Sequence, residues 1–144
     1  MSKHELVEIQ CPKCGSASQM TVWHSLNVQL DPEAKEELLK GRINLFHCGS
    51  CSFEAFVPIG LLYHDMWKKF LVQLYTLPKT NDDDFFDMFT DDAQLKSVLD
   101  IPSGISTVVS PYFKNIHIVF SMDELIRYVT FRDRLAEYKA RTKD

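Results

Sequence analysis

An α+β fold is what this sequence predicts, and three observations predict it. All four cysteines fall into two C-x-x-C pairs, Cys11-Pro12-Lys13-Cys14 and Cys48-Gly49-Ser50-Cys51, which is the spacing of a zinc-ribbon-like set of antiparallel strands. Between the pairs, Asp31-Pro32 and Gly41 bracket a short inserted helix. Near the C-terminus, an alternating apolar run meets Ser121-Met122-Asp123-Glu124, a helix-opening signature, which predicts a closing strand and helix.

The elements follow in order. Glu5 to Gln10 reads as a strand running into the first cysteine pair. Between Ser16 and Leu30, Val22, Leu26, Val28 and Leu30 alternate with Trp23, Ser25, Asn27 and Gln29, so this stretch reads as a second strand; His24 spoils the pattern. Asp31 is the expected N-cap of the inserted helix, with Pro32 at its first position and Ala34, Leu38 and Leu39 as its apolar stripe. Arg42 to His47 and Phe53 to Pro58 are expected as a hairpin with the second cysteine pair at its tip.

Leu61 to His64 and Lys69 to Leu77 read as another hairpin. A helix competes, because Trp67, Phe70, Leu71, Leu74 and Tyr75 also fit one helical face; aromatic and β-branched content and Pro78 favour strands. A short helix is expected over 92–99. Asn115 to Phe120 is the closing strand, with Ile116, Ile118 and Phe120 on one face. The last helix runs to about Tyr138, with Leu125, Ile126, Val129, Leu135 and Ala136 inward, and the tail from Lys139 frays. The 144 residues are expected to form a single domain: a ribbon over about 5–60, an acidic connection over about 79–110 and a strand-helix over 115–140. One core is expected to span it, built from Trp23, Leu38, Phe46, Phe56, Phe70, Val72, Ile118, Leu125 and Val129.

The cysteine pairs carry the chemistry. Two residues between the sulfurs let the chain turn back so that both point at one ion, and two such pairs supply the four thiolates of tetrahedral zinc. Pro12 presets φ for the first turn and Gly15 can take positive φ after it; in the second pair Ser52 stands where glycine would. Backbone amides in such turns can point at the sulfurs. Disulfides suit an oxidising compartment, and a thioredoxin-like redox pair needs a βαβ setting around a lone C-x-x-C. Iron–sulfur cysteine runs have other spacings. A site of four thiolates leaves no position for substrate or water, so it is a staple, and with Zn²⁺ it is formally −2.

Composition bounds the rest. At 45% hydrophobic and 25% charged, the chain is that of a soluble globular protein. It holds no apolar run long enough for a bilayer, and Met1-Ser2-Lys3-His4-Glu5 lacks the apolar core of a signal peptide, so a cytoplasmic location is expected. Charge is uneven: residues 79–110 hold two lysines against seven aspartates, a net of −5. Residues 111–144 hold seven Lys/Arg against five Asp/Glu, a net of +2. Neither half is the basic stripe that drives nucleic-acid affinity. In the acidic stretch Phe85, Phe86, Met88 and Phe89 must either pack on the domain or mark a partner surface.

Other candidates are weaker. His47, beside Cys48, could replace a ligand, but as a strand residue next to one it is expected to point away. Tyr63-His64-Asp65 is the best polar cluster outside the cysteines; a turn aspartate and an exposed histidine account for it better than a catalytic pair. There is no G-x-S-x-G elbow and no phosphate-binding loop.

In the order of its motifs the chain resembles the CpXC family, a mainly bacterial family named for its C-P-x-C motif. Cys11-Pro12-Lys13-Cys14-Gly15 carries the resemblance, with Asp31-Pro32, Leu38-Leu39-Lys40-Gly41, Asn44-Leu45-Phe46, Cys48 and Cys51, Tyr63-His64-Asp65, Lys68-Lys69-Phe70 and Asp123-Glu124-Leu125-Ile126. It covers most of the chain. It implies zinc held by Cys11, Cys14, Cys48 and Cys51, and leaves the biochemical role open. The second pair departs from the C-P-x-C-G form, because Gly49 follows Cys48. The expected function is therefore a non-enzymatic zinc-binding module that binds protein or its own copy. The alternative is a thiol redox protein or other enzyme using Cys11 or Cys14; a nucleic-acid-binding ribbon ranks below both.

Overall fold

The computed structural model describes residues 2–76, 83–96 and 111–142. Strands β1 (Lys3–Gln10) and β2 (Ala17–Asn27) form a long antiparallel hairpin in register from His4↔Trp23 to Gln10↔Ala17. Helix α1 (Pro32–Leu39) follows, then a small hairpin of β3 (Leu45–His47) and β4 (Glu54–Phe56). A third hairpin, β5 (Leu61–Asp65) and β6 (Phe70–Leu74), settles the competition with a helix in favour of strands. A short helix α2 (Asp83–Phe86), a 3₁₀ turn (Pro111–Lys114), strand β7 (His117–Val119) and the long helix α3 (Met122–Thr142) complete the described elements.

The fold is α+β as expected, but the main sheet is not wholly antiparallel. Its order is β1-β2-β5-β6-β7, and β2–β5 and β6–β7 pair parallel. The reason lies in connection length. Parallel neighbours need a long crossover; β2 reaches β5 through α1 and the β3–β4 hairpin, and β6 reaches β7 through the chain between Leu74 and His117.

The interior has two clusters where one was expected. The larger joins Leu26, Leu38, Leu61, Tyr63, Phe70, Val72, Leu125 and Val129, with α1 and α3 laid on the sheet. The smaller gathers Cys11, Phe46 and Cys48, flanked by Ile9, Met20, Phe53 and Val57. Several expected positions move. Phe56 is 45% exposed, because Phe53 and Val57 take the inward side of that strand. On and beside β7 the buried residue is Val119, while Ile116 and Ile118 are half-buried and Phe120 is exposed.

Helix ends explain other differences. Asp31 makes no side-chain cap on α1, although its carbonyl accepts from the Ala34 amide at 3.1 Å. At the other end, Gly41 (φ 74) donates to the Leu38 carbonyl and Arg42 to the Glu37 carbonyl, a Schellman close; Leu39, about 100° round the helix from buried Leu38, is exposed. For α3 the expected start holds: the Ser121 hydroxyl accepts from the Glu124 amide, and the Glu124 carboxylate accepts from Phe120 N–H. The helix runs on through Thr142, so Lys139 to Thr142 are helical rather than frayed, and Leu135 faces water. The helix expected over 92–99 does not begin there: Asp91–Asp92 is a turn and Leu95 bridges Phe89, while 97–99 lie outside the described residues.

Candidate metal centre

Each cysteine pair sits at the tip of a hairpin, and the two tips are built alike. In the β1–β2 tip, Cys11 N–H donates to the Ser16 carbonyl at 2.8 Å and Gly15 N–H to the Cys11 carbonyl at 2.9 Å. In the β3–β4 tip, Cys48 N–H donates to the Phe53 carbonyl at 2.8 Å and Ser52 N–H to the Cys48 carbonyl at 3.0 Å. The residue after the second cysteine is left-handed in both, Gly15 at φ 80 and Ser52 at φ 64. Serine takes the same turn that glycine takes, at a conformational cost of about 1 kcal/mol. Ser52→Gly should therefore stabilise the folded protein by about 0.5–1 kcal/mol, and Gly15→Ala should destabilise it by about 1–2 kcal/mol. No atom lies within 4 Å of a Cβ built on Gly15, so the effect there is purely backbone. Denaturant midpoints of the two variants check this, and shifts of the same sign would refute it.

The tips bring all four sulfurs within 4.8 Å of one another. Cys11 and Cys51 are 3.6 Å apart, as are Cys14 and Cys48, so each close pair joins one hairpin to the other. A disulfide would hold sulfurs at about 2.05 Å, and all four thiols are free. Tetrahedral zinc with bonds of about 2.3 Å requires sulfurs about 3.8 Å apart, so the cage is of the size a thiophilic ion needs.

Amides turn toward these sulfurs, as the turn geometry predicts. Cys11 Sγ accepts from the Lys13 and Cys14 amides, Cys14 Sγ from the Ser16 amide and Cys51 Sγ from the Phe53 amide. The Ser16 hydroxyl, 3.4 Å from Cys14 Sγ, and then the Ser16 amide bring that exposed thiol down to about 6. At Cys51 the Phe53 amide favours the thiolate, but desolvation and the three neighbouring sulfurs outweigh it and push the thiol up to about 12. Sulfurs this close cannot all be anionic without a cation between them. Cys48 is fully buried and Cys11 nearly so; Cys14 is exposed.

The chain belongs to the CpXC family. A family profile described as CpXC protein matches residues 9–144, which takes in both hairpin tips and α3. No curated protein and no solved structure matches the chain.

The other candidates fall outside the cage. His47 points away from the sulfurs, and its Nδ1 lies 2.8 Å from Glu54 Oε1 across the small hairpin. Asp65 shapes the turn as expected, accepting from the Trp67 and Lys68 amides, and it is buried. His64 is not exposed as expected: it is half-buried, 2.6 Å from the Tyr112 hydroxyl and edge-on to Phe113. Of the phenylalanine cluster, Phe85 packs against Tyr75, while Phe86 and Met88 are exposed.

One residue named above only as part of a motif proves to be a positioning residue. Asn44, buried at φ 57 just before β3, accepts from Trp23 N–H at 2.7 Å and donates to the Trp23 carbonyl at 3.0 Å. Its own carbonyl accepts from Val57 N–H at 2.8 Å. It therefore stands in for a strand residue on the edge of β2 beyond the end of β5 and ties the two cysteine hairpins together. The signal was there in kind, since asparagine tolerates a left-handed backbone and its amide mimics a peptide. Asn44→Gly, which keeps the backbone angle and removes only the bonds, should cost about 2 kcal/mol, and Asn44→Ala about 1 kcal/mol more. Equal losses in urea unfolding would show that the backbone angle carries no cost.

Proposed function

We propose that this chain is a zinc-stapled, non-enzymatic module that binds protein, a second copy of itself included. The observation that carries it is the cage of four sulfurs joined pairwise between two matched hairpin tips. Zinc, when bound, supplies a cross-link and the charge that lets the four thiolates coexist. With four protein ligands it has no open position, so its role is structural. The exposed aromatic residues outside the cage, Phe86 and Phe131 among them, support binding to another protein surface. A reducing, cytoplasmic setting fits free thiols held for metal. Among the described residues no helix is long and apolar enough to cross a membrane.

Native mass spectrometry with elemental analysis on untreated protein tests this. One zinc per chain is the expected result; metal-free protein would overturn it, and one iron per chain would reassign the ion. Thiol redox chemistry at Cys11 and Cys14 is the second reading, favoured by the exposure of Cys14 and its thiol near 6. The two separate by alkylation. Coordinated thiolates resist until a chelator is added, whereas a redox Cys14 reacts at once.

A further inference from the structure

Two uncovered surfaces of this chain match each other. On α3, Phe131, Leu135 and Tyr138 recur at helical spacing and are 55%, 36% and 52% exposed. Arg127 and Arg134 run beside them along a shallow groove of 460 Å³. This stripe lies away from Met122, Leu125 and Val129, the residues by which α3 sits on the sheet. Its charged side chains are Arg127, which also holds Asp123 of its own helix at 3.5 Å, and Arg134, and the last turn adds Lys139 and Arg141.

The second surface is a 470 Å³ groove between α2 and β7. Phe85, Phe89, Ile116, Ile118 and Phe120 line it, and Phe86 stands 58% exposed at its lip. Its rim is acidic: Asp91 and Asp92 line it, and Asp83 and Asp87 are exposed on and just after α2.

We propose that a second copy of the chain covers both. The Phe131–Leu135–Tyr138 ridge of one protomer seats in the acidic aromatic groove of the other, with Arg127 and Arg134 on its aspartate rim, and the exchange is reciprocal. Charge complementarity selects this occupant, since a cationic apolar ridge and an anionic apolar groove occur on the same chain. The two surfaces also flank one strand: His117 of β7 lines the groove and stacks on Tyr128 of α3 at 3.8 Å. A two-fold axis near β7 engages both at once and closes the assembly. The proposal rests on the self-association half of the function above.

Sedimentation of the full, metal-loaded chain over a concentration series tests it. The wild type should dimerise, less tightly at high salt. Arg127→Glu with Arg134→Glu should weaken the dimer on the order of a hundredfold, and so should Asp91→Lys with Asp92→Lys. All four side chains are at the surface, and the contacts they make within the chain, Arg127 with Asp123 and Asp92 with the Thr90 hydroxyl, are exposed ones, so metal content should hold and the unfolding midpoint should shift little. An equimolar mixture of the two variants should dimerise again, because both contacts then pair opposite charges. A wild-type monomer at every concentration would overturn both the proposal and self-association. A dimer that neither variant weakens, or a mixture that stays monomeric, would overturn this pairing alone and leave self-association standing.

Discussion

On the zinc staple proposed above, stripping the metal should unfold the ribbon half of this protein and leave the larger sheet folded. The asymmetry follows from the two cores. Around the sulfurs, Cys11, Phe46 and Cys48 are buried, with a few half-buried neighbours. The β3–β4 hairpin has three residues a side, and a two-stranded hairpin of that size is not stable alone in water. Structural zinc contributes about 10–16 kcal/mol in zinc-finger peptides, as much as the whole stability of a typical domain. Without it the close sulfurs repel as thiolates or stay protonated and unlinked, and the joint between the tips is lost. The larger cluster, with Leu26, Tyr63, Phe70, Leu125 and Val129, needs no sulfur. After chelation, amide exchange should therefore quicken across β3, β4 and both tips while β5, β6 and α3 stay protected. Cys48→Ser should reproduce this pattern without chelator and lower zinc affinity by orders of magnitude, since the buried ligand has no room for a compensating water. Uniform loss of protection would show that one cooperative core spans the chain.

How much of this was legible depends on range. Local chemistry read well. The turn at Cys11–Gly15 follows from proline and glycine, the α3 start from Ser121 and Glu124, and the stop of α1 from Gly41. The four ligand candidates were visible because paired cysteines have few other uses, and the fold brings those four together. Pairing between distant strands was not legible. Nothing in β2 or β5 distinguishes a parallel from an antiparallel neighbour, because alternation sets which face is buried, not the direction of the partner. Phe56 and Leu135 were misplaced for a related reason. Period shows that a face exists, and only the tertiary arrangement decides whether anything covers it. The role of Asn44 is not legible in its motif, because it joins two hairpins that are remote in sequence.

Asp65→Ala should destabilise the folded chain by about 3 kcal/mol, because it takes the acceptor from Gln29 and from the Trp67 and Lys68 amides at a buried position. The carboxylate is 1% exposed at the end of β5. Its Oδ1 accepts from Gln29 Nε2 at 3.0 Å and from the Trp67 and Lys68 amides at 3.1 and 2.9 Å, which shape the turn into β6. Its Oδ2 has no hydrogen bond but lies 3.6 Å from Lys68 Nζ. Lys68 in turn reaches Asp133 at 3.1 Å, and Asp133 also holds Lys35 at 3.0 Å, so one ion network fastens α1, α3 and this turn. Burial alone would push the Asp65 carboxyl up; the Lys68 amide, Gln29 and the lysines outweigh burial and hold it below the ordinary carboxylate range. The sign of the pH effect follows. A carboxyl lowered in the folded state binds fewer protons there than in the unfolded chain, so its contribution is whole above the ordinary value and fades as pH falls through the lowered one. Asp65→Asn keeps an oxygen for the turn amides and abolishes this titration. The gap in urea midpoint between wild type and Asp65→Asn should therefore stay constant from neutral pH down to the ordinary carboxylate range and close below it. Metal loss at acid pH affects both proteins alike and cancels in the difference. A gap that widens on acidification would mean that burial wins at Asp65 and that the lysines hold a neutral acid.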